Sequence, residues 1–421
     1  MGTFSSQVIT NDECSGVKTY VMPTGAKDVV TVSGSMLGGS IHCANTNSKT
    51  AALVSSMLDK GTENKDKYEI SETLESVGAE LSFSSTRYHT HFTGFCLKNN
   101  LRTVVSLLSE QLRTPSFSSS ELSTLQGRIC GNLERDKENT KKLAMINFLR
   151  RLFPSNHPNY RETVNESIDL VSKVKKEDLF TFHKEQYGLG SIKIAAAGDV
   201  SPADFNSQMF EAIGDWSSTE VEIPKLTEKA REPKEGSEII KVQDKTSSDL
   251  YIGQPIGIDR EHEDYYALML GIYILGGNFS ARLMQTVRDK QGLTYGIGSS
   301  ISGVSFGADG YWNIWGTFSP DILKKGIEAT KEQVDSWFNK GVTEDELSAK
   351  KTTISGSYKV SMDSTAGLAA KILSNAEHGR ELSYLDEYPK IIESISLSEV
   401  NSAIKKYVNP NKLYMVAAGT L

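Results

Sequence analysis

Ile192-Lys193-Ile194-Ala195-Ala196-Ala197-Gly198-Asp199 is echoed near the end of the chain by Leu413-Tyr414-Met415-Val416-Ala417-Ala418-Gly419-Thr420, and each stretch follows a helix-like segment that closes on a tyrosine, Tyr187 or Tyr407. A second pair lies upstream. Phe117-Ser118-Ser119-Ser120-Glu121-Leu122-Ser123 parallels Val342-Thr343-Glu344-Asp345-Glu346-Leu347-Ser348, and each carries the pattern of a capping box, Ser118 to Glu121 and Thr343 to Glu346. The third pair is architectural: strand-like Val29 to Gly39 precedes a helix at Ala51, as Leu250 to Gly257 precedes one near His262 and Tyr265. The offsets from Glu121 to Glu346 and from Tyr187 to Tyr407 differ by only a loop's length. The chain therefore reads as one unit written twice.

The repeat sets a domain plan of 1–214, a linker over 215–238 and a second domain over 239–421. In the linker, Pro224, Pro233 and Gly236 sit among mixed Glu and Lys with little apolar periodicity, so it is expected to be exposed and mobile. Leu81 to Phe92 alternates with period two, whereas Leu101 to Leu112 and Ile322 to Phe338 space their apolar residues as helices do. Ser201-Pro202 and Ser319-Pro320 mark helix starts, where proline loses no needed donor. Strand, helix, strands, helices, strand in each half predicts an α+β fold: two homologous α/β sandwich domains, each a mixed, largely antiparallel sheet backed by helices.

Composition narrows the partners. At 421 residues the chain exceeds one ordinary core, and a net charge of −7 without a basic stripe argues against nucleic acid or an anionic membrane. No stretch reaches the length of a membrane span, and Met1-Gly2-Thr3-Phe4-Ser5-Ser6-Gln7 lacks a basic region followed by an apolar run. No membrane insertion and a cytoplasmic location are the resulting expectations. Cys14, Cys43, Cys96 and Cys130 have no paired metal spacing and are too few to staple a chain this long, so reduced, mostly buried thiols are expected.

Two segments carry the chemistry. In Gly276-Gly277-Asn278-Phe279-Ser280-Ala281-Arg282-Leu283-Met284-Gln285-Thr286-Val287-Arg288-Asp289-Lys290-Gln291-Gly292-Leu293-Thr294-Tyr295, the glycine pair permits a turn and Asn278 suits a helix cap. Phe279, Leu283 and Val287 form an apolar stripe, and Gly292 ends the helix before a strand from Thr294. Arg288 falls at the helix end and Tyr295 at the strand start. By themselves these are equally a favourably placed helix-end cation and a core-covering aromatic. The second segment is Thr50-Ala51-Ala52-Leu53-Val54-Ser55-Ser56-Met57-Leu58-Asp59-Lys60-Gly61-Thr62, a helix whose i, i+3, i+4 face presents Ala52, Ser55 and Ser56.

Met57-Leu58-x-Lys60-Gly61-Thr62 resembles the stretch after the inverted zinc motif His-x-x-Glu-His of the pitrilysin/insulinase metallopeptidases, and Gly276 to Tyr295 resembles that family's C-terminal motif. On this frame the two zinc histidines fall on Ala52 and Ser56 and the general-base Glu on Ser55. The remaining zinc ligand, a downstream Glu, falls on Asn132, and a supporting Glu on Leu125. The resemblance thus implies a zinc helix without ligands and no metal on this chain. It also implies that Arg288 and Tyr295 are groups that bind the substrate backbone and stabilise a tetrahedral intermediate, a task that suits donors with no need to change charge. Ser82 and Phe83 fall where the family presents an edge strand that pairs with peptide.

Other candidates are weaker. His89 and His91 share one face of a strand, as a metal pair would, but no third ligand stands nearby in sequence and His262 and His378 are in the other half, so strand histidines are the preferred reading. Ser55 and Ser56 have no neighbouring base to make them nucleophiles. Gly38-Gly39 and Gly276-Gly277 lack the rest of a phosphate loop and read as turns.

A vacant metal face with retained donors implies the zinc-free subunit of a heterodimeric peptidase. Its partner would be a homologous chain bearing His-x-x-Glu-His and zinc, its substrate an extended peptide, and its nucleophile a water activated on that partner with the partner's Glu as base. The alternatives are an inert structural subunit, like the related core proteins of respiratory complexes, and a peptide-binding module.

Overall fold

The computed structural model describes residues 3–14, 16–43 and 46–420, leaving the side chains of residues 13 and 14, and hence the Cys14 thiol, outside the description. The first half runs β1 (Ile9–Cys14), β2 (Val17–Pro23), β3 (Val29–Leu37), α1 (Thr50–Met57), α2 (Lys67–Ser76), β4 (Glu80–Ser85) and β5 (His89–Leu97). Five helices follow, α3 (Leu101–Arg113), α4 (Ser119–Asp136), α5 (Thr140–Leu152), α6 (Val164–Lys173) and α7 (Lys176–Gln186), then β6 (Lys193–Gly198) and α8 (Pro202–Ile213). The second half repeats the plan with β7 (Gly236–Lys241), β8 (Ser248–Pro255), α9 (Tyr265–Gly276), a π-helical segment (Met284–Lys290), β9 (Gly296–Ser302) and β10 (Tyr311–Phe318). Five helices again intervene, α10 (Leu323–Lys340), α11 (Glu344–Val360), α12 (Thr365–Glu377), α13 (Tyr384–Ser394) and α14 (Leu397–Tyr407), before β11 (Tyr414–Gly419).

The sheets confirm the duplication strand by strand. One has the order β1-β2-β6-β3-β5-β4 and the other β7-β11-β8-β10-β9. With β1 set aside, β2, β6, β3, β5 and β4 correspond in turn to β7, β11, β8, β10 and β9. The senses also agree: β2 with β6 and β7 with β11 are parallel, and every other pairing is antiparallel. Each half is thus a mixed, largely antiparallel sheet backed by helices.

Compactness does not follow chain order. One compact unit gathers Met1–Cys130, Asp169–Pro224 and Ser357–Pro389, and the other Gly131–Ile168, Lys225–Gly356 and Lys390–Leu421. The equivalent helices α5 and α12 are exchanged. Helix α12 packs on β3 and β6 of the first unit, and α5 packs on β8 and β11 of the second. Strand β6 explains how a sheet accepts a helix on each face. Ile194 and Ala196 join the core containing α1 and α3, while Ala195 and Ala197 join a second core with Leu368, Ile372 and Leu373 of α12. Small alanines let the helix approach closely.

Several local expectations hold and others shift. Ser201 caps α8, its hydroxyl accepting from Asp204 N at 3.3 Å, with Pro202 at the first position. Thr343 and Glu346 close their capping box, whereas Glu121 pairs with Lys67 at 2.9 Å instead of reaching back to Ser118. The alternating run Leu81 to Phe92 is a hairpin rather than one strand, because Thr86 turns the chain by bonding His89 through both its backbone and its hydroxyl. Segment 217–235 has no regular secondary structure and is mostly exposed. It is tied down at Ser217 O by Leu189 N, at Ala230 N by Asp309 and at Arg231 N by Leu152 O. Cys43 and Cys96 are buried and Cys130 half-buried, and none of the three is in a disulfide. No helix among the described residues is long and apolar enough to cross a membrane.

Candidate functional site

The connection from β3 to β4 carries α1, and its outward face offers nothing to a metal. Ala52 is exposed and Ser56 half-buried. The buried Ser55 hydroxyl is spent on its own helix, donating to Ala52 O at 3.1 Å. Asn132 is exposed on α4, its amide oxygen taken by the Arg135 guanidinium, and Leu125 is buried in the core. A methyl, two hydroxyls and an amide do not fit zinc, which takes thiolate, imidazole or carboxylate. No step can be routed through such an ion at α1.

The equivalent connection in the second half, β8 to β9, carries Arg288 and Tyr295. Arg288 lies in the π-helical segment, a distortion that accompanies functional sites in many folds. Its guanidinium reaches Asp289 at 3.1 Å and lies 5.9 Å from the Phe279 ring centroid, at the outer limit of a cation–π contact. Tyr295 sits one residue before β9 and is 93% exposed. No partner for its hydroxyl is recorded among the described residues. Both residues line an open groove of about 600 Å³, together with Thr246, Ser247, Thr317 and Ser319. The arrangement provides hydrogen-bond donors and hydroxyls but no general base except Asp289, which Arg288 occupies.

What holds this segment was not apparent from its spacing. Arg282 grips Glu346 of α11 bidentately, with Nε to Oε1 and Nη2 to Oε2 both 2.6 Å, and Nη2 also donates to Gly341 O. Lys350, 5% exposed, donates to Asn278 Oδ1 at 2.9 Å, to Ser280 O at 3.0 Å and to Ser280 Oγ at 2.6 Å. Burial lowers the Lys350 ammonium from its ordinary value despite nearby Glu346. Burial would raise the Glu346 carboxyl, but Arg282 and Thr343 outweigh it and hold it low. Asn278 therefore anchors a lysine instead of capping a helix. Leu283 and Val287 are fully buried as the stripe requires, but Phe279 is 77% exposed because the helix begins only after it. The local pattern of Glu346 reads as a capping box with Thr343, and nothing within it points to Arg282.

Ser82 and Phe83 lie on β4, which closes the first sheet on one side and pairs only with β5 among the described strands. Ser82 is exposed and Phe83 half-buried against the core. The strand's other edge is the kind of surface that accepts an extended peptide. His89 and His91, side by side on β5, do meet a third potential ligand after all. It is Glu377 at the end of α12, whose Oε1 lies 2.8 Å from His91 Nε2 across 286 residues of chain.

Comparisons with known proteins agree with this architecture. Residues 24–158 match the family described as Insulinase (Peptidase family M16), and residues 173–354 the one described as Peptidase M16 inactive domain. A Helicobacter pylori protein named Non-peptidase homolog YmxG is 22% identical over 365 residues, 86% of this chain and 82% of its own length. The Uncharacterized zinc protease YmxG of Bacillus subtilis is 22% identical over 404 residues, 93% of this chain and 95% of that one. Among solved structures, a Peptidase M16 inactive domain from Pseudomonas fluorescens superimposes with a TM-score of 0.87 at 25% identity, covering 98% of each chain. With two adjoining matches spanning both halves, the same two-domain fold and an α1 face without metal ligands, the chain belongs to the M16 (insulinase) peptidase family.

Proposed function

We propose that this chain is the zinc-free subunit of a two-chain metallopeptidase, and that Arg288 and Tyr295 act on a peptide held at the site of a homologous zinc-bearing partner. The observation that carries the reading is Tyr295: 93% exposed, it stands beside Arg288 at a groove whose backbone is pinned from behind by buried polar groups. A rigidly supported donor pointed away from its own chain suits a ligand that comes from outside.

The division of labour follows from which groups are present. The α1 face has no general base, so activation of water falls to the partner, whose zinc would polarise water and the scissile carbonyl. The Arg288 guanidinium and Tyr295 phenol donate hydrogen bonds to the carbonyl oxygen as it gains negative charge, and neither loses or gains a proton. The free edge of β4 at Ser82 and Phe83 pairs with the extended substrate through main-chain hydrogen bonds. A relative named as a non-peptidase homologue is in keeping with a chain that has no hydrolytic chemistry of its own. The second reading is an inert structural subunit. The empty α1 face favours it, and the exposed donors count against it.

The test mixes this chain with a homologue that has an intact zinc motif and follows a quenched fluorescent peptide. Arg288→Ala and Tyr295→Phe should each lower kcat by about 10²–10³, the loss typical of one oxyanion donor, with complex formation unchanged. A mixture equally active with both substitutions would remove the donor role and leave the scaffold. Chelator-sensitive hydrolysis by this chain alone would overturn the proposal from the other side.

A further inference from the structure

We infer that His89, His91 and Glu377 form a binding site for one divalent transition-metal ion of the zinc class, on the opposite face of the first sheet from the vacant α1. Phe92 points to the core shared with α1, so His89 and His91, which alternate with it along β5, point to the face covered by α12. Helix α12 ends there with Glu377. One ligand atom from each residue lies within 4.8 Å of the others, and among the described residues this is the one group of three His, Cys, Asp or Glu side chains that converges so. A tetrahedral ion with bonds of about 2.0–2.1 Å sets neighbouring ligand atoms roughly 3.3 Å apart. The His91–Glu377 pair, now 2.8 Å apart, would open by about half an ångström, and His89, whose ring centroid is 5.7 Å from that of His91, would close in.

The donor types of the three groups also suit a cation. Burial lowers the His89 imidazole from its ordinary value and so disfavours its charged form. Burial would raise Glu377, but hydrogen bonding to His91 and the nearby His89 hold it below the ordinary range, and it is an anion. Two imidazole nitrogens and one carboxylate are the donor set that zinc, cobalt and ferrous iron accept, with at least one position left for water. His89 is 5% exposed while the His91 side chain is 26% exposed, so the cluster is enclosed yet has a path for exchange. Two neighbours bound the affinity. The Lys193 ammonium, which donates to Ala376 O at 2.6 Å, opposes a second cation, and His378 is anchored by Nδ1 on Ser374 O at 2.8 Å.

With metal bound, the cluster is a clasp. It fastens α12, delivered from the far half of the chain, to the sheet that needs it.

The experiment uses the full chain, stripped with a chelator and dialysed against Zn²⁺ or Co²⁺. One equivalent should bind per chain, Co²⁺ should give the intense visible bands of four- or five-coordinate cobalt, and Zn²⁺ should raise the unfolding temperature. Glu377→Gln keeps shape and hydrogen-bonding capacity, and His91, with its side chain 26% exposed, has room for glutamine, so both variants should fold. Each should weaken binding by at least about 100-fold, more than loss of an outer-sphere partner typically costs. Each should also abolish the thermal shift, while His262→Ala keeps both. Sub-stoichiometric binding, or binding that survives Glu377→Gln and His91→Gln, would overturn the inference.

Discussion

Ile372→Ala should open the first compact unit and spare the second, although residue 372 lies deep in the second half of the sequence. Its side chain is fully buried among Val8, Met22, Ala195, Ala197 and Leu368. Truncating a buried aliphatic costs about 2–5 kcal/mol, depending on how far the surroundings collapse into the cavity. Here α12 already rests on alanines, so little collapse remains and the upper part of the range, roughly 3–5 kcal/mol, is expected. Against a domain stability of about 5–15 kcal/mol this is a large fraction. At about 1.4 kcal/mol per decade, amide exchange in β2, β3 and β6 should accelerate by roughly 10²–10³ while β8, β10 and β11 keep their protection. The mirror substitution is Phe148→Ala on α5, whose ring lies 6.0 Å from Tyr251 and 6.1 Å from Tyr311. It should expose β8, β10 and β11 and leave β2, β3 and β6 alone. Native-state exchange read by mass spectrometry separates the two patterns. Loss of protection by Ile372→Ala in β8, β10 and β11 with an intact β3 would refute the helix exchange.

Three further outcomes are expected. A Cβ at Gly34 would lie 2.0 Å from the Phe92 ring carbon Cζ, so Gly34→Ala must displace a buried aromatic and should cost about 1–3 kcal/mol in urea unfolding; a cost under about 0.5 kcal/mol would mean the ring is not held there. In the second unit, burial would raise Asp309, but hydrogen bonds from His157 Nε2 at 2.9 Å and Ala230 N at 2.8 Å hold it below its ordinary 3.8. Its folded value lies below the unfolded one, so its contribution is complete above about pH 4 and is lost as pH falls through the lower folded value. Asp309→Asn should flatten that acid limb and cost about 1–3 kcal/mol at pH 7; an unchanged acid limb would contradict the assignment. Glu346→Gln breaks the bidentate grip of Arg282 and should speed amide exchange across Met284–Lys290 at least tenfold, with α9 unaffected.

The duplicated sheet was legible because strand order is written in local signals that recur at a fixed interval, and no distant contact is needed to see them. The exchange of α5 and α12 was not. An amphipathic helix announces which of its faces is apolar, yet both sheets offer an apolar surface, and nothing within Thr140–Leu152 or Thr365–Glu377 says which one it will cover. The same gap hid Glu377 from His89 and His91: the third ligand was sought among histidines, whereas the swap brings a glutamate 286 residues away onto their strand. Likewise Glu121 and Glu346 have the same local pattern, and only the fold supplies Lys67 to one and Arg282 to the other.

The two halves put different chemistry into one topological position. The connection β3 to β4 carries the emptied face of α1, and the matching connection β8 to β9 carries Arg288 and Tyr295. Emptying α1 costs the fold little, since Ala52 and Ser56 lie outside the core and the Ser55 hydroxyl is satisfied within its helix. The second connection is different. It buries Lys350 at 5% exposure against three oxygens, and a desolvated ammonium is a poor way to stabilise a core that an apolar side chain could fill. The three contacts fix the turn Asn278–Ser280, and Glu346 clamps Arg282, the first helical residue after it, so rigidity is concentrated just upstream of half-buried Arg288 and exposed Tyr295. Fold stability alone does not call for that arrangement, whereas the donor role proposed for Arg288 and Tyr295 requires it.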